Sequence, residues 1–202
     1  MIELDADHRF AGGYHRDCYV HPADETLCIK VSLRGNFRET TREAKYYRHL
    51  ERRHVPWDLL PRFHGIVETS LGPGAVFDLV RDHDGKVSDT LEHYLRSPAS
   101  TAANIEGLTH AFRSLRAYLI EHRIITRTLK AKNIAYQKSG SGNGRLVIID
   151  NIGNTEFFPI GNYVGYFARR KITRKWGRFE AAILKEFEDN DLVGAVISKG
   201  AR

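Results

Sequence analysis

"TRTLKAKNIAY", residues 126–136, is the stretch on which the reading of the whole chain turns. It lies between an amphipathic segment and a β-rich one, and Arg127, Leu129 and Asn133 stand within it. Upstream, Ile105, Leu108, Phe112, Leu115 and Leu119 recur at three- and four-residue steps, which predicts a helix with one apolar face. Downstream, "NIAYQ" and "RLVIID" are short β-prone runs joined by "KSGSGNG", 138–144, which reads as a hairpin tip. The quoted stretch is therefore a loop that leaves a helix and enters a hairpin.

The pattern continues toward the amino terminus. "DCYV" and "TLCIKVS" flank the turn "HPADE" and predict a hairpin, although apolar and polar residues alternate imperfectly in the second strand. From Phe37 to about His54, Ala44, Tyr47 and Leu50 fall at helical spacing on an otherwise charged segment. "GIVETS" and "GAVFDLV", separated by "LGP", predict a second hairpin. Beyond the turn "DHDGK" the chain becomes helical, and after Asp150 it turns irregular before a last helix marked by Trp176, Phe179, Ile183 and Phe187. This order predicts an α+β chain: residues 1–80 with strands and one helix, residues 81–202 with helices, the loop and one hairpin.

Composition narrows the classes. A chain of 202 residues with 42% hydrophobic content can bury a sizeable core. Its net charge of +6 suits acidic partners such as nucleotides, nucleic acid or an anionic surface, without selecting among them. "MIELDADHRF" lacks a signal pattern and no apolar run reaches the roughly 20 residues of a bilayer span, so a cytoplasmic protein is expected. Two cysteines, Cys18 and Cys28, do not make a disulfide framework or a four-ligand zinc site, and they read as free structural thiols.

The loop matches the protein-kinase catalytic pattern H-R-D-L-x-x-x-N at Arg127, Leu129 and Asn133. Thr128 stands where that pattern has its proton-accepting aspartate. In such a site a strand lysine holds the α- and β-phosphates and a helix glutamate orients it. "CIKV" supplies Lys30; Glu43 in the following helix is the candidate partner, with Glu39 one turn earlier as its competitor. Asn133 and Asp150 supply an amide oxygen and a carboxylate for magnesium, a hard cation that takes oxygen ligands. Seventeen residues separate them, room for the hairpin. "IDNIG" stands where kinases carry Asp-Phe-Gly, with Gly153 one residue late. Lys130, two residues after Thr128, is placed to contact the terminal phosphate. Singly, each is an ordinary surface or core residue; in this order, each on the expected element, they point to nucleotide chemistry. In "FAGGYHRDCYV", Gly12 and Gly13 would bring backbone close to phosphate, with charge from His15 or Arg16, although two glycines before a strand also make a plain turn.

"HRDCYVHP", "CIKV", "REAKYYRHL", "PRFHGIVET", "LKAKN" and "IDNIG" together resemble a bacterial family, the YrbL or PhoP regulatory network protein family. The resemblance implies a bilobal protein-kinase-like fold that binds ATP, with a small antiparallel-sheet N-lobe and a shortened helical C-lobe. It also implies a link to the PhoP regulon. No Ala-Pro-Glu segment follows Asp150, so a protein-substrate platform is not expected.

Two functions follow. One is an ATP- and magnesium-dependent transferase, a slow phosphotransferase or a nucleotidyltransferase, acting on an unidentified acceptor. The alternative is a pseudokinase whose nucleotide-dependent shape is read by a regulatory protein. "RRKITRKWGR", 169–178, opens a third class, since six basic residues around a tryptophan suit nucleic acid or an anionic membrane. A solvated helix face beside the core residues Trp176 and Phe179 explains the same pattern.

Overall fold

Strand β3 (Asp24–Ser32) is buried along its second half, from Cys28 to Val31, because it has neighbours on both edges and cover on both faces. That accounts for the imperfect alternation of its sequence: a strand covered on both faces has no solvent side to mark with polar residues. It belongs to the first of two units of the chain, Met1–Trp57 with Pro61–Val80; the second is Asp58–Leu60 with Arg81–Arg202. The computed structural model describes residues 1–12, 16–32, 37–140, 142–153 and 165–198, the side chains of 39, 165, 166 and 198 excepted.

In the first unit β1 (Arg9–Gly12), β2 (Arg16–His21), β3, β4 (Phe63–Thr69) and β5 (Gly72–Asp78) form an antiparallel sheet in the order β1-β2-β3-β5-β4. The two expected hairpins are present, and β1 adds an edge strand where the sequence suggested a loop. All four residues of β1 are exposed, so no alternation betrays it. Leu4, Tyr19, Ile29, Val31 and Val76 pack one face. Helix α1 (Arg38–Arg52) covers the other, where Tyr47 meets Phe77 with ring centroids 5.2 Å apart and the Ser32 and Thr40 hydroxyls bond at 2.8 Å. Neither Cys18 nor Cys28 is in a disulfide, and burial pushes the pKa of the Cys28 thiol up to about 12.

The second unit contains α2 (Leu91–Arg96), α3 (Pro98–Ala103), α4 (Ile105–Glu121), β6 (Ile134–Lys138), β7 (Gly144–Ile148), α5 (Gly165–Glu186) and α6 (Leu192–Ser198). Thr90 and Ser97 cap α2 and α3 with their hydroxyls, and Pro98 starts α3 at a position that needs no amide donor. Leu108, Phe112, Leu115 and Leu119 form the buried stripe of α4. Phe112 meets Trp176 of α5 with ring centroids 4.8 Å apart, so the apolar face of α5 is core. The β6–β7 hairpin lies on α4, with the ring of Tyr136 seated against Gly107 and Gly144. A Cβ at Gly107 would stand 2.2 Å from the Tyr136 hydroxyl, so only glycine permits this approach. The fold is α+β. Among the described residues no helix is long and apolar enough to cross a membrane.

Candidate functional site

The loop of residues 126–133 starts from a buried anchor. Ile124, Ile125 and Thr126 are each buried, and Thr126 pairs with Ile152 as an antiparallel bridge. The Arg127 N–H donates to the Asn151 carbonyl at 2.7 Å, and the Gly153 N–H donates to the Ile125 carbonyl at 2.9 Å. These bonds lace the start of the loop to the "NIG" segment after Asp150. Gly153 has φ +124°, a conformation open to glycine, and Asn151 has φ +64°, which asparagine tolerates. The chain thus turns through a left-handed conformation at Asn151.

Past Thr128 the chain is pinned by buried Leu129, makes one 3-10 turn at Ala131–Asn133 and enters β6. Ile134 pairs with Ile148, and the Ile149 N–H donates to the Asn133 carbonyl at 2.9 Å. Asn133 and Asp150 therefore flank the open end of one hairpin, both half-buried. Seventeen residues of separation are closed by β6, the tip and β7. The backbones of Asn133 and Asp150 are thus close neighbours, and an amide oxygen and a carboxylate are donor types that magnesium would take.

In the first unit Lys30 and Glu43 are both buried, at 7% and 4% exposure. The Lys30 ammonium lies 4.4 Å from the centroid of the Phe77 ring, a cation–π contact. Glu43 does not use its carboxylate on Lys30: among the described residues its ion pair is with Arg16, whose Nη1 donates to Oε2 at 2.5 Å. Arg16 pairs in register with Ser32 at the end of β3, which puts it on the helix-covered face of the sheet beside α1. Arg16, which the sequence offered as a source of charge for phosphate, is here joined to Glu43. The competitor Glu39 lies in α1 with its side chain outside the described residues, and Gly13 and His15 are not among those residues.

At Gly12 the lack of a side chain has a structural consequence. A Cβ there would lie 2.0 Å from Arg9 Nη2 and 2.6 Å from Asp17 Oδ1, the two atoms of an ion pair 3.0 Å long. The missing side chain is the space across which Arg9 reaches Asp17.

Thr128 and Lys130 are exposed, and they line a cavity of about 600 Å³ in the second unit. Its opposite wall comes from α5, whose Lys175 donates to the Arg127 carbonyl at 2.5 Å. Lys175 and Arg178 were legible as members of a basic run, three residues apart and hence on one helix face. Their meeting with the loop was not, because nothing local to either segment encodes it.

The model of the PhoP regulatory network protein YrbL family matches residues 2–184. YrbL of Escherichia coli (strain K12) is 38% identical over 184 residues, covering 90% of this chain and 87% of that protein. YrbL of Shigella flexneri matches with the same identity and coverage. With nearly the whole chain matched by the family and more than a third of its residues shared with these relatives, the protein belongs to the PhoP regulatory network protein YrbL family.

Proposed function

We propose that this protein binds ATP with magnesium in a protein-kinase-like fold and acts as a slow phosphotransferase within the PhoP regulatory network that names its family. The observation that carries the reading is the hydrogen bond from the Ile149 N–H to the Asn133 carbonyl, which sets Asn133 and Asp150 at one end of a hairpin. Lys30 offers its ammonium to phosphate, and Asn133 and Asp150 hold magnesium. Magnesium, when bound, neutralises charge developing on the transferred phosphoryl group.

Thr128 shapes the rate. A positioned general base contributes roughly 10² to 10⁴ in rate, about 3 to 5 kcal/mol of barrier. A threonine hydroxyl is not basic at neutral pH and forgoes that contribution. Phosphoryl transfer passes through a loose transition state, in which metal and positioning do most of the work, so turnover persists at a low rate. The exposed Thr128 also favours a second reading, a pseudokinase in which nucleotide binding alone is used.

Purified protein incubated with magnesium and ATP labelled at either the γ or the α position separates the outcomes. Transfer of γ label alone supports the phosphotransferase, transfer of α label means nucleotidyl transfer, and neither favours the pseudokinase. Magnesium ATP should raise the melting temperature by linkage, and Lys30→Ala and Asp150→Ala should each abolish the rise. An unchanged rise in both folded variants removes the site assignment.

A further inference from the structure

We infer that the outer face of α5 docks on the phosphate backbone of a nucleic acid. Arg170, Arg174 and Arg178 follow one another along that face at four-residue steps, and all three are exposed. Four residues of helix advance about 6 Å, so the three side chains start from one row. Among the described residues none of the three has a carboxylate within ion-pair distance. The two glutamates of α5 take other partners: Glu180 Oε1 accepts from Trp176 Nε1 at 2.7 Å, and Glu186, beyond Arg178, lies 4.0 Å from Arg96 Nη2.

A second row, Thr173, Gly177 and Ala181, runs beside the arginines at the same four-residue step, and its residues are exposed too. A Cβ at Gly177 would meet nothing within 4 Å, so among the described residues nothing covers the middle of this shelf. Small side chains let a rod-like backbone come close, and the guanidinium groups beside them make their strongest hydrogen bonds to charged phosphate oxygens. A repeating row of cations suits a polymer that repeats its anions. Duplex DNA does so, with one negative charge per about 1.7 Å of its axis.

A lipid surface fits the same helix less well. A helix that lies in a membrane interface sinks its large apolar side chains toward the acyl chains. In α5 those residues, Ile172, Trp176, Phe179 and Ile183, are buried inside the protein, Trp176 and Phe179 against Phe112 of α4. Phe167 and Leu184 are exposed, but they stand near opposite ends of the helix and form no continuous patch. The basic segment 169–178 is thereby divided: Arg170, Arg174 and Arg178 face outward, while Ile172 and Trp176 are core. This surface does not depend on the ATP chemistry proposed above.

The test is binding of a short fluorescein-labelled DNA duplex to the full chain, followed by anisotropy between about 50 and 200 mM salt. Each neutralised phosphate contributes about −0.9 to the slope of log affinity against log salt, so wild type should show a slope of about −3. Arg170→Gln with Arg174→Gln keeps a good helix former at both exposed positions. It should bring the slope to about −1 and weaken binding at the lower salt by at least about tenfold. Lys86→Gln, which removes another exposed cation, should leave slope and affinity as they are. No binding by wild type, or the same slope in wild type and the double variant, overturns the surface. An equal loss in Lys86→Gln assigns binding to net charge and overturns it as well. Wild type that ignores the duplex but sediments with phosphatidylserine vesicles, where the double variant does not, gives the row to a membrane and overturns the nucleic-acid assignment.

Discussion

Arg16 and Glu43 form a buried ion pair, Nη1 to Oε2 at 2.5 Å, that joins strand β2 to helix α1, and their side chains are 12% and 4% exposed. Removing one partner of such a pair strands a charge out of water, which costs about 3 to 5 kcal/mol, whereas replacing both with apolar groups is close to neutral. Arg16→Leu and Glu43→Leu should therefore each lower unfolding free energy by about 3 kcal/mol, and the double variant should recover most of the loss. Urea denaturation of the four proteins measures this. Additive losses would show that the pair is not an energetic unit.

Thr128 is exposed, so changing it tests chemistry with little effect on folding. Thr128→Asp should raise phosphate transfer or ATP hydrolysis by about tenfold to a thousandfold, within the span of base catalysis. Asn133→Ala in the same background should cancel the gain, because the new base works only with the metal in place. Steady-state turnover at matched magnesium decides it. A wild type that outpaces Thr128→Asp would give threonine a role of its own, and no turnover in either would leave the pseudokinase.

His49 sits in the last turn of α1 against Tyr46, ring centroids 5.9 Å apart. Burial, and then the charges of Arg53 and Arg52, hold its pKa below the ordinary 6.5. Between the two values the unfolded chain binds more protons than the folded one, so stability rises with pH there. The full contribution is present above pH 6.5 and is lost as pH falls from 6.5 through the lower folded-state value. Melting temperature should accordingly decline on acidification below pH 6.5, and His49→Gln should flatten that part of the profile. An identical slope in the variant would assign the decline to other groups.

The longer elements were legible because each repeats its own period. Leu108, Phe112, Leu115 and Leu119 mark α4, Trp176, Phe179 and Ile183 mark α5, and turn residues bracket the β2–β3, β4–β5 and β6–β7 hairpins. Helices α2, α3 and α6 are six or seven residues long, too short for a helical period to repeat twice, and β1 is exposed throughout. The hairpin between Asn133 and Asp150 was legible because it is a local matter of spacing.

By itself, then, the sequence determined the α+β class, the elements that repeat a period and the position of the loop between α4 and β6. Only the tertiary structure decided what the charged residues touch. Glu43 takes Arg16 because the strand register sets Arg16 opposite Ser32, on the face that α1 covers. Gly12 makes room for Arg9 and Asp17, and Lys175 reaches the carbonyl of Arg127, 48 residues away. Periodicity records which face of an element is apolar, whereas an ion's partner depends on which other elements arrive beside it, and that information lies in no single segment.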